Sequence, residues 1–242
     1  MADDNAVSVT VVGIGPGDAQ MVTLQGREAL AQASLVAGFN TVLEVVRPWL
    51  DHAELCPMTY RNQEEVLDYA IGQARQGRAC VVCCWGDLNV SARELLERVR
   101  RRVDHVQLIP GISSIQVALA RSGISLEEAL FITLHQRKEA ASDLEELVHY
   151  LKEGRRHIIL LPRPFDLMPP VIARGLLEEG IPAGRPVTIF QRLTMADEEE
   201  WSGTLEDCAA ISRDLSDLSI MVFPHSPGSI SAGQGGITHA GP

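Results

Sequence analysis

The sequence predicts an α/β protein built as two α/β domains, the first around a largely parallel sheet and the second around a mixed one. Three observations carry that reading. From Val7 to about Pro110, β-branched runs of strand length alternate with amphipathic helical stretches, the pattern of a parallel sheet covered on both faces. Several of those strands end in glycine-bearing loops. Beyond Trp201 the strict alternation stops, so an antiparallel portion is expected. A chain of 242 residues also exceeds the roughly 100–200 residues usual for one domain. The turn Pro110-Gly111 is the natural junction, giving expected domains at 1–110 and 111–224 and a Gly/Ser/Ala-rich, disordered tail over 225–242.

In order, strand 7–12 leads to a helix at 24–33 with Thr23 as its N-cap. Strand 35–39, helices 41–49 and 63–76, strand 79–85, helix 92–99 and strand 106–109 complete the first domain. After a helix at 115–121, the second domain is expected to contain strand 129–134, helix 143–152, strand 157–161, helix 167–179 and strand 186–190. A short strand at 201–204, a helix at 205–211 and a strand at 218–223 close it.

The first strand delivers the loop Gly13-Ile14-Gly15-Pro16-Gly17-Asp18 to its carboxyl end, where ligands collect in open α/β sheets. A dinucleotide fingerprint would need glycine where Asp18 stands, and Pro16 removes a backbone donor that a phosphate cradle would use. The second strand ends Gly38-Phe39-Asn40, without the acid that would hold a ribose. The loop therefore reads as the floor of a small-molecule site of another kind. Two more such loops follow: Trp85-Gly86-Asp87, where Asp87 is either a site carboxylate or the N-cap of the next helix, and Pro110-Gly111-Ile112-Ser113-Ser114 at a helix start. In the second domain His135-Gln136-Arg137-Lys138 and Gln191-Arg192-Leu193-Thr194 lie just past strand ends, and a basic cluster in such a place suits an acidic ligand.

Composition narrows the class. Hydrophobic residues make up 45% and charged residues 22% of the chain, ordinary for a globular protein. The formal charge of −11 argues against a nucleic-acid backbone as partner, and Arg100-Arg101-Arg102 reads as a solvated helix terminus. No apolar run approaches the ~18 residues of a membrane helix, and the acidic start lacks signal-peptide character, so a cytoplasmic location and no membrane partner are expected. Of five cysteines, Cys80, Cys83 and Cys84 share one strand, with Cys80 and Cys84 on one face and Cys83 on the other; they read as small buried hydrophobes, and no metal site is expected. No Gly-x-Ser-x-Gly nucleophile elbow occurs.

Taken together, the loops at Gly13–Asp18, Gly86-Asp87, 110–114 and 191–194 resemble, in order and spacing, those of the tetrapyrrole methyltransferase family across Val7 to Phe223. Ile-Pro-Gly-Ile-Ser-Ser at 109–114 and Phe-Ile-Thr-Leu-His-Gln-Arg at 131–137 are most similar to its cobalt-precorrin-7 C5-methylating branch. The resemblance implies a cleft between two α/β domains that holds S-adenosylmethionine, a homodimer, and methylation of a corrin precursor at C5 on the route to cobalamin. It also implies a separate enzyme for C15 methylation and decarboxylation. Carried over by position, the cofactor contacts are Pro16, Gly86, Asp87, Val90, Ser113, Ser114, Leu161, Leu193 and Ser219. Asp87 and then His135 are the candidate bases, and Arg137, Lys138, Arg163 and Arg192 the candidate partners of the macrocycle's carboxylates. The chain departs from the family pattern at Leu88, at Gln136 in place of glycine, and at Gln191 in place of glutamate. Competing readings are methylation at another ring carbon, of diphthamide or of ribosomal RNA, a nucleotide-dependent oxidoreductase, and a non-catalytic tetrapyrrole carrier.

Overall fold

The computed structural model describes residues 6–50, 52–90, 92–135 and 144–225, which form two five-stranded sheets. The first contains β1 (Ser8–Gly13), β2 (Leu35–Phe39), β3 (Glu54–Met58), β4 (Cys80–Cys84) and β5 (His105–Ile109), in the order β3-β2-β4-β1-β5 and parallel throughout. Strand alternation sorts its side chains between two cores. Val12, Val36, Val81 and Cys83 pack with Leu30 of α1 (Leu24–Ala31) and Val42, Leu43 and Val46 of α2 (Asn40–Val46). Val9, Val11, Cys80, Val82 and Cys84 face the other way, onto Leu67 and Ile71 of α3 (Gln63–Ala74) and Leu95, Leu96 and Val99 of α4 (Arg93–Arg100). Each such side chain buried contributes about 1.5–3 kcal/mol. The cysteines thus divide as the alternation predicts, and all five are free and buried. Among the described residues no group of metal-ligating side chains assembles, and no helix is long and apolar enough to cross a membrane.

The second sheet runs β6 (Ala129–Thr133), β7 (His157–Leu161), β10 (Ser219–Phe223), β8 (Pro186–Gln191) and β9 (Glu199–Thr204). Only β6 and β7 pair in parallel; β10 is antiparallel to both its neighbours, and β9 to β8. The mixed character expected from the sequence is therefore present. Because β10 reverses, the carboxyl ends of β6, β7 and β8 share one edge with the amino end of β10. One face of this sheet packs on α6 (Glu145–Glu153), α7 (Pro169–Glu178) and α8 (Leu205–Ala209), the other on α5 (Ser114–Arg121).

The differences from expectation have local causes. Strand β3 was not foreseen, because Glu54-Leu55-Cys56-Pro57-Met58 carries a proline; it is an edge strand, where a missing N–H is tolerated. The helix expected at 41–49 ends at Val46 and continues only as a 3-10 turn over Arg47–Trp49, since Pro48 cannot donate within an α-helix. The arginine run is not simply solvated: Arg102 pairs with Glu64 and, at 2.6 Å, with Asp68, tying α4 to α3.

Candidate functional site

In a parallel sheet all carboxyl ends lie on one edge, and the order β4-β1-β5 brings three glycine loops side by side. Gly86 N–H donates to the Gly15 carbonyl at 2.8 Å and Gly15 N–H to that of Gly86 at 3.2 Å. Gly13 and Gly111 approach so closely that neither has room for a side chain. A Cβ on Gly13 would sit 2.6 Å from the Gly86 oxygen and 2.8 Å from the Gly111 nitrogen; one on Gly111 would strike the Gly86 oxygen and stand 2.5 Å from that of Gly13. Gly86 differs: its φ of +61° demands glycine-like freedom, yet an added Cβ would meet only ordinary contacts, the nearest being Ser113 Cα at 3.8 Å, so no clash forbids it.

Asp87 locks this knot. Its carboxylate accepts from Gly111 N–H at 3.1 Å and from the backbone and side-chain N–H groups of Asn89 at 2.8 and 2.9 Å. It is not the cap of α4, whose N-cap is Ala92 and has no side-chain cap bond. Ser113, by contrast, is a true N-cap: its hydroxyl accepts from Ile115 N–H and its N–H donates to Gln116 in a capping box. Ser113 and Ser114 thus stand at a helix start close to Gly86, with the Ser113 oxygen already accepting within the cap.

The opening loop also reaches the second half of the chain. Pro16 is buried between Gly15 and Gly17, and beyond it Asp18 N–H donates to Thr194 Oγ1 at 2.9 Å. A Cβ on Gly17 would fall 2.5 Å from Met195 Cγ and 3.2 Å from the Leu193 oxygen. The receiving loop is sharply bent, with Arg192 at φ 49° and Thr194 at φ 68°. It is braced by Glu198, which accepts from Thr194 N–H and pairs with Arg121 at 2.8 Å. Val90, Leu161 and Leu193 then meet Met21 and Ile112 in one apolar cluster under α5. Ser219 is buried at the amino end of β10, where its hydroxyl donates to the Ser216 carbonyl.

His135 follows β6 on the same edge. Leu134 N–H donates to the Leu161 carbonyl at 2.9 Å, and the His135 ring hydrogen-bonds the Pro162 carbonyl, while Nε2 is a buried nitrogen with no hydrogen-bond partner among the described residues. Burial holds the imidazole below its usual pKa, against the smaller opposing pull of that carbonyl, and it is neutral near pH 7. Cys84, the thiol nearest Asp87 in sequence, is pushed up to about 12, first by burial and then by the Asp87 charge, and is no nucleophile.

Two candidate substrate arginines are already engaged. Arg163 pairs with Asp166 at 2.8 Å, and Arg192 with Asp197 at 2.8 Å and Glu199 at 3.4 Å. Gln191, standing in for the glutamate of the pattern, is buried, donating to Glu199 and accepting from Ser216 N–H. Gln136, Arg137, Lys138 and the tail from residue 226 lie outside the described residues. An open cavity of 450 Å³ between α6 and α7 is lined by Glu145, Glu178 and Glu179 and contains none of the expected site residues. The sequence reading names the loops that hold Gly13, Gly111 and Thr194 but gives none of the three a role of its own. Glycines ending neighbouring strands were a usable signal; a hydroxyl 176 residues from its partner was not.

Residues 8–209 match the family of Tetrapyrrole (Corrin/Porphyrin) Methylases. The chain belongs to that family. It is accordingly an S-adenosylmethionine-dependent methyltransferase. Two curated relatives from Methanocaldococcus jannaschii are each 26% identical to it. One, a cobalt-precorrin-4 C(11)-methyltransferase, matches over 85% of this chain and 82% of its own length. The other, a probable cobalt-precorrin-7 C(5)-methyltransferase, matches over 89% and 97%. Among solved structures, the uroporphyrin-III C-methyltransferase of Thermus thermophilus complexed with S-adenosylhomocysteine has the same fold, with a TM-score of 0.69 at 21% identity over 90% of this chain and 92% of that one.

Proposed function

We propose that this tetrapyrrole methylase transfers a methyl group to C5 of a corrin precursor, converting cobalt-precorrin-7, or its cobalt-free equivalent, on the route to cobalamin. The observation that carries the reading is the near end-to-end match to the C5 relative, 97% of its length, together with the loops at 109–114 and 131–137. The C11 relative is equally identical at 26% and makes C11 of cobalt-precorrin-4 the second reading.

The residues divide the work in a way that needs no covalent catalyst. Bound S-adenosylmethionine supplies an electrophilic methyl group, and the nucleophile is a substrate carbon. The knot of Gly13, Gly86 and Gly111 fixes one wall of the cofactor cleft, while Val90, Leu161 and Leu193 exclude water from it. Holding donor and acceptor in line is the main source of acceleration, worth up to ~7–11 kcal/mol. The proton that leaves the methylated product goes to Nε2 of His135, whose tautomer is preset by Pro162. Asp87 serves as a positioning group, since its oxygens are held by Gly111 and Asn89. The macrocycle's carboxylates fall to Arg137 and Lys138, because Arg163 and Arg192 are paired within the protein. We place the domain junction at Pro110-Gly111 and take the working protein to be a cytoplasmic homodimer, as in the family resemblance.

The test incubates the protein with cobalt-precorrin-7 and methyl-labelled S-adenosylmethionine, with mass spectrometry to count methyl groups and NMR to locate them. One labelled methyl on C5 is the expected result. Label appearing only when cobalt-precorrin-4 is supplied, and on C11, would transfer the assignment to the second reading. Binding without any label would make the protein a carrier.

A further inference from the structure

Beyond β7 the chain makes a short turn whose form is over-determined. The Arg163 carbonyl accepts from Leu167 N–H at 3.2 Å, and Arg163 Nε reaches both Asp166 oxygens at 2.8 and 3.0 Å. Leu167 is buried as the anchor, and Pro162 and Pro164 each fix one backbone dihedral. At the centre stands Phe165, with φ +77° and 82% of its surface exposed. That conformation suits glycine or asparagine, and an aromatic held in it is strained. Packing does not explain the ring, which lies outside the core. The other strongly exposed aromatic, Tyr60 at 71%, at least leans on Phe39 with ring centroids 5.1 Å apart.

The turn's location supplies the missing reason. It leaves the same edge that carries His135, Leu161 and Leu193, and the Pro162 carbonyl at its start is the one that orients His135. Resting on the function proposed above, we propose that Phe165 is a substrate-binding residue for the tetrapyrrole: its ring, presented on the braced turn that leaves this edge, stacks on the flat conjugated face of the macrocycle. A stacking partner outside the chain accounts for both departures at once, since exposed aromatic surface and strain are then offset in the complex. The turn contributes to holding substrate and takes no part in cofactor binding or methyl transfer.

The experiment compares wild type with Phe165→Gly, Phe165→Asn and Phe165→Trp in three measurements: thermal unfolding, calorimetric affinity for S-adenosylhomocysteine, and absorbance titration with cobalt-precorrin-7. The glycine and asparagine variants are expected to unfold at the same temperature or higher, to bind S-adenosylhomocysteine as wild type does, and to bind the tetrapyrrole about 2- to 10-fold more weakly. Phe165→Trp should stay within about twofold of wild type, because the stacking surface is kept. Unchanged tetrapyrrole affinity in the glycine and asparagine variants would overturn the proposal. So would a joint loss of stability and of both ligands, which would mark Phe165 as structural. A wild-type protein that ignores the tetrapyrrole would instead remove the functional reading, and this inference with it.

Discussion

At the carboxyl edge of the first sheet the loops are tied backbone to backbone, through Gly13, Gly15, Gly86 and Gly111, with Asp87 as the one side chain that closes the knot. At the facing edge of the second sheet the ties are side chains: Thr194 to Asp18, Glu198 to Thr194 and Arg121, Arg192 to Asp197 and Glu199. The difference shows where each half tolerates change. A knot of carbonyls and amides has no rotamers with which to absorb an added atom, so it fails sterically. A strap of ions and hydroxyls can give by a side-chain rotation, so it yields gradually. A rigid wall and an adjustable one would suit the proposed function, in which a cofactor is held in fixed register and a large macrocycle is admitted.

The sharpest way to break the comparison is to add one methyl group to each kind of glycine. Gly111→Ala drives a Cβ into the Gly86 and Gly13 carbonyls, and a destabilisation of at least about 3 kcal/mol is expected, a fall in Tm of about 6–12 °C for a chain of this size. Gly86→Ala makes only ordinary contacts, the nearest at 3.8 Å, but keeps φ +61°, so the left-handed penalty of about 1–2 kcal/mol is the cost that applies. Thermal unfolding of the two variants side by side separates steric closure from backbone strain. Equal losses would mean that the close approach of the three loops is not what holds them.

A smaller effect than that of Gly111→Ala is expected at the Asp87 side chain that closes the knot. Asp87→Ala leaves Gly111 N–H without its acceptor, costing about 1–3 kcal/mol, and lets the loop after β5 drift from Gly86. S-adenosylmethionine affinity, measured calorimetrically, should fall together with turnover, and Asp87→Asn, which keeps an acceptor oxygen, should recover part of both. If the alanine variant binds and turns over like wild type, Asp87 has no place in the site.

These long-range ties mark the boundary of what the sequence reveals. Thr23 was recognisable as a helix cap, and the two serines at 113–114 as a helix start, because a cap depends on residues two or three positions away. The two-faced cysteine strand followed from alternation alone, and the parallel sheet from the succession of strands and helices. Asp87 was recognisable as important but not as a brace, since Gly111 lies 24 residues on and its amide has no sequence signature. Arg163 and Arg192 read as candidate partners of the macrocycle's carboxylates, although acids within the next few residues stand ready to pair with them; proximity in sequence is a usable warning there. His135 was chosen for its chemistry, but its buried, neutral state depends on strands β6 and β7 ending together.

That neutral histidine gives the mildest test, one that acts on the second edge and spares the first. Burial lowers the His135 pKa in the folded protein, so below the ordinary value near 6.5 the unfolded chain takes up a proton that the folded one refuses. Stability is therefore complete above about pH 6.5 and declines as pH falls toward the lower folded value, where folded and unfolded states titrate alike. His157 adds a slope of the same sign, its pKa lowered by burial and then by His225. His135→Gln should flatten the acid limb of a Tm-against-pH curve without abolishing it, because His157 remains, and should leave Tm above pH 7 within about 2–4 °C of wild type. The same variant should lose turnover at neutral pH while binding S-adenosylhomocysteine normally, since the glycine knot is untouched. An acid limb as steep as that of wild type would show that His135 is not the buried, proton-refusing group on this edge, and would remove the physical basis for giving it the proton.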